Sequence, residues 1–365
     1  MWHDPGNRST FDQAGLYFQP ATAFENAETK RRLKNLLEVS GVRKGLYELD
    51  AVAAAREDLL RFHTSEYIEQ LKQASDVGAG DAGEESPFAQ GGFDIACQSA
   101  GMAMQAVESV LKGEVDNAYS LNRPPGHHAK RDSGSGFCLL GNIPIAVMSA
   151  MDKGLVQRVA VIDWDVHHGN GTQDAFYNSS DVLTISLHHD NNFPVNSGAV
   201  SEQGEGVGLG YNLNIPLPAG SGIGTYLATL EQLVVPALER FQPELIVVAC
   251  GFDAAALDPL GPMILNSDCY RTMTAKLMSV ADQLCDGKLV FIHEGGYSET
   301  YVPFCGLAVI EALSDQSSPV IDPMSDEIAA WGQQSLQAHQ QVLLDQIKPQ
   351  LDMIHCPETM ASLSV

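Results

Sequence analysis

Residues Val159–Gly171 read VAVIDWDVHHGNG. The first five form a β-branched run that ends on a carboxylate, and more ionisable residues follow at once. A continuous apolar run of this length suits a strand buried on both faces, as in a parallel sheet. Beyond it Asp163, Asp165 and His167 alternate, so an extended segment presents all three on one side. Two carboxylates and an imidazole so placed can share one cation, with room left for a distant third ligand and a water. Burying three ionisable groups at a strand end is costly without a cation. The stretch therefore reads as a metal-bearing strand end rather than as an Asp and a His that merely pair with each other.

The same pattern recurs along the chain. Val182–Leu187 (VLTISL) runs into His188, His189 and Asp190. Leu245–Ala249 (LIVVA) leads to Gly251, Phe252 and Asp253, and Leu289–His293 (LVFIH) to Glu294, Gly295, Gly296 and Tyr297. Helical patterns lie between them at Gly224–Arg240 and Ser267–Cys285, and earlier at Asn26–Ser40 and Phe93–Lys112. Alternation of strand and helix predicts an α/β fold, a parallel sheet flanked by helices. In such sheets ligands bind outside the carboxyl ends of the strands, which is where the polar residues cluster. Asp253 is then the natural third ligand to the cation. Asp76–Gly92, rich in Gly, Ala and acid, predicts a long loop.

Composition narrows the function. The 365 residues carry 21 Lys and Arg against 46 Asp and Glu, a net charge of −25. That argues against a general nucleic-acid binder, which needs a basic footprint; acidity of this kind keeps a chain soluble, and it also suits a cationic ligand steered by a negative field. Seven scattered cysteines with no CxxC point to a reducing compartment. The opening MWHDPGNRST has no apolar signal core, and no apolar run approaches the ~20 residues of a membrane span. The expectation is a cytoplasmic protein with no membrane contact. No linker or repeat divides residues 1–365, so one domain is expected.

Three further motifs carry chemistry. Arg123–Ala129 (RPPGHHA) fixes His127 and His128 on a rigid turn, where paired imidazoles can divide the proton work. Asp163 and Asn170 are candidate acceptors to orient them. In Glu294–Tyr297 (EGGY) two glycines let backbone approach a site, and the Tyr297 hydroxyl can donate to a developing oxyanion. Phe137 and Phe193, each near glycine or proline, can line a narrow slot. Cys138 reads as a small buried residue.

The combination of RPPGHHA, GSGFCLLGN (Gly134–Asn142), DWDVHHGNGTQ (Asp163–Gln173), GFDA (Gly251–Ala254), DPLG (Asp258–Gly261) and EGGY resembles the histone deacetylase superfamily. It is most similar to class II and its bacterial histone-deacetylase-like amidohydrolases, relatives of the acetylpolyamine amidohydrolases. HDPGN (His3–Asn7), ETKRRL (Glu28–Leu33) and FHTSEYI (Phe62–Ile68) extend the likeness over about 2–315, leaving 316–365 as a helical tail. The resemblance implies the arginase–deacetylase fold, one domain with a central eight-stranded parallel sheet. It implies Asp165, His167 and Asp253 as zinc ligands, His128 as general base, His127 as its electrostatic partner oriented by Asp163, and Tyr297 as the group polarising the substrate carbonyl. It further implies Phe137, Phe193 and Leu260 as tunnel walls and the Gly136 carbonyl as acceptor for the substrate amide. Potassium is implied at Asp163, Asp165, His167, Ser186 and Leu187, and at Phe176, Ser179 and Val182 near Tyr211. Asn170 stands where class I members have Asp, and Tyr297 is present where weakly active members have His.

The activity so implied is hydrolysis of an N-acetylated amine, acetyl-lysine in proteins or peptides, to acetate and free amine, with hydroxamate-type inhibitors and a possible homo-oligomer. The alternative is a small cationic acylated amine such as an acetylpolyamine. A manganese ureohydrolase and a non-catalytic acyl-lysine reader fit the motifs less well. Asp81, Glu84 and Glu85 of the acidic loop could hold a cationic substrate at the tunnel mouth.

Overall fold

The computed structural model describes residues 24–50 and 52–356. The HDPGN stretch lies outside the described residues. The strands in chain order are β1 (Ala79–Asp81), β2 (Gly83–Glu84), β3 (Pro87–Ala89), β4 (Asn117–Ser120), β5 (Gly134–Ser135), β6 (Val159–Asp163), β7 (Val182–His189), β8 (Asn212–Leu217), β9 (Leu245–Cys250) and β10 (Leu289–His293). Six of them make the central sheet in the order β4-β10-β9-β6-β7-β8. Every pairing in it is parallel. The resemblance implied eight strands; among the described residues the sheet has six.

The four apolar runs read from the sequence are β6, β7, β9 and β10. Alternate residues of β6 feed two cores. Ala160 and Ile162 join Ile185, Ile246, Val248 and Phe291 on one face. Val159 and Val161 join Val182, Val247, Val290 and Ile292 on the other. Both faces are covered, which is why these strands are apolar throughout. Helices Gly92–Leu111 and Asn142–Asp152 cover the second face, with Ala96, Ala100 and Ala103 allowing close approach. Helix Ser267–Cys285 covers the first. The tail completes that same core through Ile328, Leu344, Ile347, Leu351 and Ile354.

One local expectation holds with a detail added and one is corrected. Gly224–Arg240 is helical throughout, with Ile223–Thr229 passing through a wide π turn at Leu230–Val234 before Val235–Phe241. Pro236 has no N–H for the regular ladder, which favours such a break. Asp76–Gly92 is not an open loop. β1 pairs antiparallel with β3 and β2 pairs parallel with β5, while Phe88 is buried beneath. Among the described residues no helix is long and apolar enough to cross a membrane.

The topology places the site. From β6 the chain builds outward through β7 and β8, then crosses to β9 on the other side of β6 and continues to β10. The strand order thus reverses between β6 and β9, and a crevice opens at such a switch point. Asp163 ends β6, and Asp253 lies just beyond β9.

Candidate active site

Asp165, His167 and Asp253 meet at the switch point. One ligand atom from each lies within 4.8 Å of the others, and all three residues are buried. His167 Nδ1 is 3.1 Å from both Asp165 Oδ1 and Asp253 Oδ2. The remaining carboxylate oxygens are anchored by backbone: Gly295 N–H donates to Asp165 Oδ2 at 2.8 Å and Val166 N–H to Asp253 Oδ1 at 2.7 Å. Glycine is required at two points of this cradle. A Cβ on Gly251 would stand 2.2 Å from Asp165 Oδ2, and one on Gly295 would stand 2.3 Å from Asp253 Oδ2.

Electrostatics show what the cradle needs. Burial opposes ionisation of Asp165, but His127 and His167 outweigh it and hold the carboxyl below its usual range. Burial and then the Asp165 charge push Asp253 up to about 8. The two carboxylates thus oppose each other's ionisation, and a cation shared between them favours the charged form of both. One nitrogen and two oxygen donors match the His and Asp ligands zinc takes. A zinc tetrahedron with ~2.0–2.2 Å bonds separates its ligands by roughly 3.3–3.6 Å, so the 3.1 Å spacings found here need only slight opening.

The paired histidines stack with centroids 3.9 Å apart and differ in partner. His127 Nδ1 bonds Asp163 Oδ2 at 3.0 Å, and His128 Nδ1 bonds Asn170 Oδ1 at 2.7 Å. Burial alone would lower His127, but Asp165 and Asp163 push it up to about 10. Burial, then positive His127 and His167, hold His128 well below the ordinary imidazole value. An amide oxygen only accepts, so His128 carries its proton on Nδ1 and keeps an Nε2 lone pair.

The remaining sequence-derived residues surround this floor. Tyr297 is buried, its ring edge-on to Phe137 with centroids 5.6 Å apart. Its hydroxyl would lie 3.1 Å from a Cβ on Gly295, beside the Asp165 and Asp253 carboxylates. Phe193 stands edge-on to His128 at 5.0 Å. Phe137, Phe193 and Leu260 are half-buried, between floor and solvent. The Gly136 carbonyl accepts a weak bond from the Cys138 thiol at 3.4 Å. Glu84 and Glu85 border this wall, since their carbonyls accept from Gly136 N–H and Phe137 N–H, each at 2.9 Å. Ser186 lies opposite Asp163 in register, with Leu187 next to it. Phe176, Ser179, Val182 and Tyr211 gather at the opposite, amino end of the strands, where Ser179 N–H donates to Phe176 O and Thr184 N–H to Tyr211 O.

Sequence reasoning assigned no role to three groups. Asp258 accepts from the N–H groups of Tyr297 and Ser298 through Oδ2, and from Leu260 N–H through Oδ1. It thus ties Leu260 to Tyr297, and its place in DPLG was the available signal. Glu294 accepts from Gly126 N–H and His127 N–H, fixing the turn that carries the histidines. Beneath that turn Arg123 pairs with buried Glu25, with buried Lys30 at 3.8 Å from the same carboxylate. Lys30 shares a helix face with Leu33 and Leu37, the spacing that could have marked it as buried. A groove of about 600 Å³ beside Phe93 and Cys97 contains none of these residues.

This architecture and site are those of a deacetylase-type amidohydrolase. The histone deacetylase domain matches residues 23–313, and the chain belongs to the histone deacetylase family. It is 51% identical over 331 residues to a histone deacetylase-like amidohydrolase of Pseudomonas aeruginosa, covering 90% of this chain and 87% of that one. It is 38% identical to histone deacetylase 8 of Arabidopsis thaliana over 86% of this chain and 84% of the relative. The crystal structure of the HDA15 HD domain superposes with a TM-score of 0.82 at 29% identity, covering 93% and 91% of the two chains.

Proposed function

We propose that this chain is a zinc-dependent deacetylase that cleaves the acetyl amide of lysine side chains in proteins or peptides. The observation that carries this is the convergence of Asp165, His167 and Asp253 beside a histidine with a free Nε2. A zinc ion held by those three residues supplies Lewis-acid polarisation of the acyl carbonyl and lowers the pKa of a water towards ~7.

This chain's residues do the rest. Phe137 and Phe193 pack the linear methylene stem, and the Gly136 carbonyl accepts the substrate amide N–H. His128 Nε2 takes a proton from the water that attacks the acyl carbon. His127, positive beside Asp163, steadies the negative charge that develops as the water attacks, and the Tyr297 hydroxyl donates to the carbonyl oxygen as it becomes anionic. His128 then returns its proton to the leaving nitrogen as the C–N bond breaks. Water and amide are consumed, and acetate and amine are released. Potassium fits the oxygen-rich groups at Asp163, Ser186 and Leu187 and at Phe176, Ser179, Val182 and Tyr211, where it would hold the strand ends in place.

A second reading, an N-acetylated polyamine as substrate, draws support from Glu84 and Glu85 beside the Phe137 wall. Acetate release from an acetyl-lysine peptide and from N-acetylputrescine, each with and without a hydroxamate, separates the two. Hydroxamate-sensitive preference for the peptide is expected. Preference for the polyamine would replace the first reading with the second.

A further inference from the structure

His127, Cys138 and Glu294 form a second buried group, in which one ligand atom from each lies within 4.8 Å of the other two. The reaction proposed above gives none of them a ligand role. Each has a donor atom left over. Glu294 Oε2 accepts from Gly126 N–H at 2.6 Å and His127 N–H at 3.1 Å, while Oε1 is buried with no hydrogen-bond partner. His127 Nδ1 is engaged by Asp163, and Nε2 stands 3.8 Å from Asp165 Oδ2, beyond hydrogen-bond reach. Cys138 is fully buried; its thiol contacts the Gly136 carbonyl at 3.4 Å, and its sulfur takes a hydrogen bond from the His128 backbone. A buried, unpartnered carboxylate oxygen is expensive unless something meets it.

We propose that His127 Nε2, Cys138 Sγ and Glu294 Oε1 form a second, inhibitory site for a thiophilic divalent cation such as zinc, cadmium or cobalt. Sulfur and imidazole donors favour these ions over magnesium and calcium, which take oxygen. Two protons leave as the ion binds: the S–H bond breaks as the metal–sulfur bond forms, because a coordinating thiol is deprotonated outright, and the positive His127 gives up its Nε2 proton so that this nitrogen can bind; both protons pass to solvent. No oxidant or reductant takes part. An ion on Nε2 removes His127 from its place beside His128 and puts a second dication against the Asp165 carboxylate. The inhibitory consequence rests on the reading of His127 given above, whereas the binding itself does not.

The two sites differ in one measurable way: Asp165, His167 and Asp253 offer no sulfur. Metal-stripped protein is titrated with cobalt while absorption and acetate release are followed together. The first equivalent is expected to restore turnover without a thiolate-to-cobalt charge-transfer band. Further cobalt is expected to raise that near-ultraviolet band as turnover falls. Cys138→Ser should keep turnover at one equivalent, lose the band, and need about 10–100-fold more metal for inhibition. Glu294→Gln should weaken the band's metal affinity. The proposal is overturned if no band appears in excess cobalt, or if band and inhibition both persist in Cys138→Ser, which would assign them to a thiol such as Cys356. A band without loss of turnover would overturn the inhibitory role and count against the role given to His127.

Discussion

At the floor of the site Asp165, Asp253, His127 and His128 are buried, and each is held by a backbone N–H or a side-chain acceptor. At the mouth Phe137, Phe193 and Leu260 are half-exposed and ride on loops, with Glu84 and Glu85 alongside. The floor grows from the ends of β6 and β9, whose register is set by two apolar cores. The mouth depends on local turns and on the β2–β5 pairing. Chemistry that needs sub-ångström placement sits on the rigid part, and substrate choice is left to the part that can vary.

Substitutions separate the two regions, beginning with the largest effect. Gly295→Ala places a Cβ 2.3 Å from Asp253 Oδ2 and 2.6 Å from Asp165 Oδ2. Metal content and turnover should be lost together, as in Asp165→Ala or Asp253→Ala; retained metal would mean the cradle yields more than its anchoring suggests. Tyr297→Phe should keep the metal and lose ~10²–10³ in kcat, the effect of deleting one oxyanion donor. Unchanged kcat would remove Tyr297 from the reaction.

Asn170→Asp tests the basis of the histidine difference. His128 lies below the ordinary imidazole value, so it stays unprotonated and able to act as base as pH falls through that range. A carboxylate at 170 favours the protonated form, so the acid limb of kcat/KM should move to higher pH by roughly 1 unit or more. An unmoved limb would assign that limb to another group. The smallest effect is expected at the mouth. Glu85→Gln should raise KM for a cationic substrate by up to roughly 5-fold, as for an exposed ion pair, with kcat unchanged. A fall in kcat would place Glu85 in the floor's chemistry.

Much of the floor was legible because its residues sit at fixed offsets from apolar runs. VAVID and LVFIH end where β6 and β10 end, and the polar residues that follow are those the fold gathers. β4 and β8 were missed because NAYS and NLNIPL interrupt the apolar pattern. β8 is nonetheless buried, its Asn212 and Asn214 amides satisfied by Gln173. Such side-chain bonds come from far along the chain and leave no periodic trace. The same holds for Asp258, whose partners Tyr297 and Ser298 are about forty positions away. The mouth was least legible, since β1 and β3 depend on pairing with each other and β2 on pairing with Gly134–Ser135, rather than on their own propensity.

The most direct test of the account pairs zinc content with acetate release from an acetyl-lysine peptide on one sample. The protein is measured as purified, after metal stripping, and after return of one equivalent of zinc per chain, with Asp253→Ala in parallel. Stripping should abolish release, one equivalent should restore it, and Asp253→Ala should neither hold the ion nor recover. Full turnover in the stripped chain, or recovery in Asp253→Ala, would contradict zinc dependence.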